Sequence, residues 1–200
     1  MTELNMTRGN GLLEGFLARQ RSRLANTLIN NGQRQGSLLD IGCGNYPFFL
    51  INTRFREKHG LDKFISGVYK IHFENYKIKF VCCDIEKAKE FPFSSKYFDI
   101  VTMLAVIEHI GPEQMENIFK EIYRILKPGG RYIITTPAPI AASLLRLMAR
   151  IKLVSRVEIN EHKYAYSYSR IKNLLEKSGF LKDKSRFGYF FLNSWVIAIK

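Results

Sequence analysis

The segment Asp40-Ile41-Gly42-Cys43-Gly44-Asn45 holds residue types suited to binding through backbone geometry rather than reactivity. It closes a short apolar run, Ser37–Ile41, which reads as a buried strand entering a tight turn. Glycines at 42 and 44 let the chain approach a ligand where a Cβ would collide. Unpaired N–H groups at the start of a following helix would attract a carboxylate. A lone Gly-x-Gly is also what an ordinary tight turn contains. The dinucleotide fingerprint needs a third glycine, and counting from Gly42 that position is Pro47. This disfavours a nicotinamide or flavin cofactor bound in the usual way.

Other groups could move protons or bind cations. Asp84 ends a second apolar run, Ile78–Ile85. Asp62 lies in the charged stretch REKHGLDKF, a poor buried strand by composition; the neighbouring run Phe64–Val68 is a better one, but it ends at Tyr69 rather than at an acid. Glu108-His109 follows the run Tyr97–Val106, and His109 could take a proton near neutral pH. The same pair could simply start or cap the helical region before Gly111-Pro112. Glu161-His162, with Tyr164, Tyr166 and Tyr168, is a second candidate acid–base cluster, or equally a polar helix start with surface tyrosines. His59 and His72 lie among charged residues and read as solvent-facing. Cys43, Cys82 and Cys83 show no metal-ligand spacing, so no metal site is expected. They read as buried reduced thiols.

These residues need a scaffold. Apolar positions from Leu12 to Leu28 recur at helical spacing, as do Met115, Ile118, Phe119, Ile122, Ile125 and Leu126. Lys127-Pro128-Gly129-Gly130 stops the second helix, because proline cannot continue it and glycine supplies a turn. Further strands are expected at Tyr97–Val106 and Arg131–Thr136, a helix at Arg170–Ser178, and an edge hairpin from Gly188–Phe191 and Trp195–Ile199. Alternating strands and helices predict an α/β fold: a doubly wound, mostly parallel sheet with helices on both faces and an antiparallel C-terminal edge hairpin. The expected organisation is a single domain over 1–200. It divides into an N-terminal helical cap (1–36), a cofactor-binding core (37–137), a lid or acceptor insertion (138–169) and a C-terminal helix with edge strands (170–200). In an open parallel sheet, ligands bind beyond the carboxyl ends of the strands.

Read in order, LLDIGCGN, Asp62, Asp84, YFDIVTMLAVIEHI and ILKPGGRYIITTP resemble the class I S-adenosylmethionine-dependent methyltransferases, in particular their small-molecule, lipid and glycan-type branch. The resemblance covers Leu38 to Pro137 well and the two ends poorly. It implies S-adenosylmethionine as cofactor. Asp40, Gly42, Cys43 and Gly44 would lie against its methionine part. Asp62 and Lys63 would hold the ribose, Asp84 and Ile85 the adenine, and Leu104 and Ala105 would flank the sulfonium. The family has no universal catalytic residue; His109 and His162 are the candidates here. The resemblance implies methyl transfer to a small-molecule, lipid-linked or glycan-type acceptor.

A formal net charge of +13 with a pI near 9.7 also suits nucleic acid or anionic lipid. Base methylation on nitrogen in such enzymes uses an Asn/Asp-Pro-Pro-aromatic motif. The corresponding segment here is Leu104-Ala105-Val106-Ile107, which disfavours a nucleic-acid substrate. The apolar stretch 139–157 carries Arg146 and Arg150 one helical turn apart, a pattern suited to a lid or to peripheral membrane contact. A cofactor-binding module without activity is the remaining alternative. No apolar run nears the length of a membrane span, and the first ten residues lack a signal core, so the cytoplasm is the expected location.

Overall fold

The computed structural model describes residues 13–138, 164 and 166–200. The strands are β1 (Ser37–Ile41), β2 (Glu57–Asp62), β3 (Ile78–Cys82), β4 (Phe98–Leu104), β5 (Leu126–Pro137), β6 (Arg186–Phe190) and β7 (Asn193–Ile199). They form one sheet in the order β3-β2-β1-β4-β5-β7-β6. The first five run parallel, and β7 lies antiparallel to both β5 and β6. Between them lie α1 (Glu14–Thr27), α2 (Phe48–Ile51), α3 (Lys70–Asn75), α4 (Pro112–Ile125) and α5 (Tyr168–Lys177). The expected doubly wound sheet with an antiparallel edge hairpin is therefore what forms.

Side-chain alternation along the strands divides the core into two layers. Leu39, Val101, Tyr132, Ile134, Val196 and Ala198 face α4 and α5, where they meet Ile118, Phe119, Ile122, Ile171 and Leu175. Their strand neighbours Leu38, Ile100, Ile133 and Ile197 face the other way, onto Ala25, Phe49, Leu50 and Phe73 of the first three helices. Burial on both faces explains why these strands read as continuous apolar runs.

β2 is the exception, and the structure corrects two readings of it. The strand is REKHGLDKF's own centre, Glu57–Asp62, and not Phe64–Val68. Phe64 and Val68 are instead exposed, in the connection that follows. A polar strand is tolerated here because each polar side chain has a specific place. Lys58 Nζ donates to the Leu50 carbonyl at the end of α2 (2.9 Å), where a helix leaves its last carbonyls unpaired. Gly60 lies under the Cys43 sulfur, the Phe73 ring and Leu50, too close for a side chain.

His59, expected to face solvent, is only 6% exposed. Its ring packs edge-on against Phe93, Tyr97 and Phe98 at 5.2–5.8 Å. Nε2 lies 3.2 Å from Glu57 Oε1. His72 is half-buried, edge-on to Tyr46 at 5.0 Å. Burial holds the His59 pKa below its ordinary value, against the pull of Glu57. The unfolded chain therefore binds this proton first as pH falls from about 6.5. The stability His59 contributes is full above that pH and is lost as pH drops through the lower folded value. Urea unfolding at pH 7 and pH 5 should show a smaller acid loss in His59→Phe than in wild type; equal losses would refute the assignment.

Candidate functional site

The carboxyl ends of β1, β2, β4 and β5 meet in register. Ile41 pairs with Leu61 on one side and Met103 on the other, and Leu104 pairs with Thr135. The glycine turn therefore emerges between the loops after β2 and β4. Gly42 N–H donates to the Leu61 carbonyl (2.7 Å), continuing the ladder past the end of β1. Gly42 and Gly44 both take positive φ, +74° and +70°, which glycine adopts without steric cost.

The two glycines serve different needs. A Cβ on Gly42 would sit 2.5 Å from Val106 Cγ2, so this position is closed by the protein itself. Among the described residues, a Cβ on Gly44 would meet nothing within 4 Å, so this turn opens away from them. Only Gly44 leaves room for a ligand at its Cα. Pro47 starts a single turn of helix, α2, so the anion-binding helix start expected after the glycines is short.

Asp62 stands where the sequence order required an acid. It is 5% exposed, at the end of β2. Oδ2 accepts from Gly44 N–H at 2.9 Å and Oδ1 from Lys63 N–H at 2.8 Å. Each oxygen of a carboxylate can accept more than one hydrogen bond. Asn45 Oδ1 accepts from Ser66 N–H (2.9 Å), fastening the glycine turn to the loop after β2.

Asp40 is 5% exposed, inside the sheet rather than at its rim. It is paired in register with Thr102 of β4, whose hydroxyl donates to Asp40 Oδ1 at 2.6 Å. Burial raises its pKa to about 7, against the Thr102 bond and with a smaller push from Asp62. The folded protein thus keeps a proton that the unfolded chain, with a carboxyl pKa of about 3.9, releases. This group's stabilising contribution is full below about pH 4 and is lost as pH rises through 7, a span on the order of 4 kcal/mol. Asp40→Asn keeps an acceptor for Thr102 and removes the titration. Its melting temperature relative to wild type should therefore climb between pH 4 and pH 8. A constant difference across that range would show that Asp40 ionises normally.

The adjoining loops complete the rim. Of the cysteines expected to be buried only Cys43 is; Cys82 is exposed and Cys83 half-buried, because β3 is the edge strand. Cys83 N–H donates to the Asp62 carbonyl, leading the chain to Asp84. Asp84 Oδ1 accepts from Glu86 N–H (3.1 Å), and Lys87 Nζ lies 3.3 Å from Oδ2. Ile85 packs against the core beside it. Leu104 is half-buried at the end of β4. Ala105 takes φ +58°, unfavourable for a residue with a Cβ by ~1–2 kcal/mol. Its N–H donates to the Thr135 carbonyl, which holds the strained turn.

Glu108 and His109 fall in a single 3-10 turn, Ile107–His109, before α4. Glu108 is 2% exposed and accepts from the Thr136 hydroxyl at 3.2 Å; His109 is half-buried. Of the later cluster, Glu161 and His162 lie outside the described residues, as does most of the 138–169 insertion and all of 139–157. The tyrosines have separate partners. Tyr164 N–H donates to the Glu108 carbonyl, and Tyr166 is buried with its hydroxyl donating to the Ile110 carbonyl (2.9 Å). Tyr168 stacks on Phe187 at 4.3 Å. Tyr164 and Tyr166 thus anchor the returning chain to the loop after β4.

Sequence reasoning missed Thr102, Val106 and Asn45. Thr102 carried a faint signal, as the lone hydroxyl in the middle of an apolar strand. The other two had none. A cavity of about 430 Å³ lined by Arg34, Arg54, Phe55 and Arg56 lies before β1 and β2. That is the opposite edge of the sheet, so it takes no part in this site.

A sheet in this order, with a glycine turn after β1 and acids after β2 and β3, defines the class I methyltransferase architecture. The chain belongs to the methyltransferase-domain family, whose model matches residues 11–184. It is a methyltransferase. Solved structures share the fold at low identity. One is a SAM-dependent methyltransferase from Archaeoglobus fulgidus, 18% identical, covering 92% of this chain and 94% of that one with a TM-score of 0.67. Another is phosphoethanolamine N-methyltransferase 2 of Haemonchus contortus in complex with S-adenosyl-L-methionine. It is 16% identical and covers 90% of this chain and 52% of that one, with a TM-score of 0.64.

Proposed function

We propose that the chain transfers the methyl group of S-adenosylmethionine to a small-molecule, lipid-linked or glycan-type acceptor by in-line displacement. The observation that carries this reading is the space the described residues leave over Gly44, with the Asp62 carboxylate 2.9 Å from Gly44 N–H. A buried acid beside a backbone without a side chain fits a ligand offering vicinal hydroxyls, such as a ribose.

The residue assignments are those that the family resemblance implies. Asp62, held by Gly44 and Lys63 N–H groups, accepts the ribose hydroxyls in charge-assisted bonds. Asp84 accepts from the adenine amino group, with Ile85 against the ring. Asp40, Gly42, Cys43 and Gly44 border the methionine part, and Leu104 and Ala105 flank the sulfur. Of these, Gly42 acts indirectly: its lack of a side chain lets Val106 close the turn.

When bound, the cofactor supplies a methyl group made electrophilic by sulfonium. The protein's part is to position and to exclude water, which can supply much of the acceleration. The strained Ala105 turn fixes the loop on which Glu108 and His109 stand. His109 is the described candidate for taking an acceptor proton, and His162 the candidate beyond the described residues. An acceptor that is already nucleophilic needs neither.

Support for a small acceptor over nucleic acid is the segment Leu104–Ile107, which lacks the polar motif of base methylation. Calorimetry with S-adenosylmethionine, followed by mass spectrometry of extracts with labelled cofactor, tests the reading. Cofactor binding and products heavier by one methyl group are expected. Absence of cofactor binding would overturn it. Filter binding to nucleic acid across a salt series separates the alternative, since phosphate contacts collapse with salt.

A further inference from the structure

The connection after β2 exposes more apolar surface than its length explains. Within 63–71, Phe64 is 62% exposed, Val68 78% and Ile71 50%. Lys63 and Lys70 accompany them and are also exposed, and no acidic residue occurs from Lys63 to Phe73. Exposed apolar side chains are ordinary singly; three within eight residues, with two lysines among and beside them, are not.

A second exposed aromatic group stands on the same edge of the sheet. Parallel pairing puts the end of β2 level with those of β1, β4 and β5. Pro137 at the end of β5 pairs with Asn193 of β7, so the β6–β7 turn emerges there too. Phe191 in that turn is 64% exposed and meets the Phe16 ring edge-on at 5.8 Å. The two clusters lie five strand positions apart in the order β2-β1-β4-β5-β7-β6, about 24 Å at the usual strand spacing.

We propose that this edge docks on an anionic lipid bilayer, with Val68 and Ile71 at one end and Phe191 at the other entering the headgroup boundary and Lys63 and Lys70 meeting anionic headgroups. A stable protein partner needs roughly 800 Å² of continuous surface on each side, more than these two knuckles of the described residues offer. A bilayer is planar, so it meets both clusters at once. It also needs only a few inserted side chains backed by positive charge. The chain's formal +13 supplies that complementarity. Docked this way, the glycine turn opens toward the lipid surface. The corollary of a lipid-borne acceptor rests on the function proposed above; the docking itself does not.

Flotation with vesicles of phosphatidylglycerol and phosphatidylcholine tests the proposal, with phosphatidylcholine alone as reference. The wild-type chain should float with the mixed vesicles and stay behind with the neutral ones. V68S/I71S/F191S should lower partitioning about tenfold or more, since each side chain removed takes apolar area out of the contact. K70E alone should weaken it and flatten the salt dependence of what remains. R54E/R56E, at the opposite edge, should change little. Calorimetry with S-adenosylmethionine should be unchanged in these variants, which separates failure of docking from failure of the methyltransferase reading. Wild-type protein that ignores anionic vesicles would overturn the proposal, as would a triple variant that floats as well as wild type. So would concentration-dependent dimerisation through the same residues without flotation. If the triple variant misfolds by circular dichroism, V68S and K70E singly carry the test.

Discussion

Asp62→Ala should lose S-adenosylmethionine binding by about a hundredfold or more, and the apo protein should melt lower as well. Two effects combine. On the proposed reading, the carboxylate takes both ribose hydroxyls, and each charge-assisted bond is worth about 1.5–3 kcal/mol. Independently of any ligand, the carboxylate is the acceptor for Gly44 and Lys63 N–H groups in a site that is 5% exposed. Removing it leaves those donors without their acceptor, at about 1–3 kcal/mol if water cannot replace it. Asp62→Asn separates the two: one side-chain oxygen still accepts from the backbone, but the charge is gone. Its melting temperature should fall less than that of Asp62→Ala while most of the affinity is still lost. Wild-type affinity in both variants, measured by calorimetry, would show that the ribose site lies elsewhere.

The two glycines should fail in different ways when substituted. Gly42→Val forces a side chain into Val106, 2.5 Å from where its Cβ would begin, at a φ of +74°. Overpacking costs about 1–3 kcal/mol and the left-handed backbone about 1–2 more. In a chain of this size each kcal/mol moves the melting temperature by roughly 2–4 °C, so a fall near 10 °C is expected. Gly44→Ala meets no atom of the described residues within 4 Å and carries only the backbone term. It should fold nearly normally yet bind the cofactor at least about tenfold more weakly, because the methyl group occupies the proposed ligand space. Thermal unfolding and calorimetry on both variants decide the matter. A stable Gly42→Val protein, or a Gly44→Ala protein with full affinity, would invert the assignment.

The contrast shows how legible the site was. Both glycines stood out in Gly42-Cys43-Gly44 as positions needing close approach, and both have positive φ. That one closes onto the protein and the other opens away from the described residues depends on Val106, 64 positions after Gly42 in the chain. Asp62 was placed by the order of motifs rather than by its own surroundings, since REKHGLDKF has almost none of the composition of a buried strand. β2 forms because neighbours 8 to 40 positions away receive its polar groups: the Leu50 carbonyl takes Lys58, and Tyr97 donates to Glu57. For the same reason His59, polar by type, ends up inside an aromatic box.

What local pattern determined was every element whose driving force is local. Short apolar runs became β1, β3, β4 and β5, and the 3.6-residue apolar stripe became α4. Their alternation permits little besides a doubly wound sheet. The glycine turn and the ordered acids followed from the same text. Tertiary structure alone decided which buried groups face each other: Asp40 with Thr102, Gly42 with Val106, His59 with Phe93 and Phe98. Those pairs lie 34 to 64 positions apart in the chain. Their energies depend on desolvation and contact at a particular register, which no local propensity encodes.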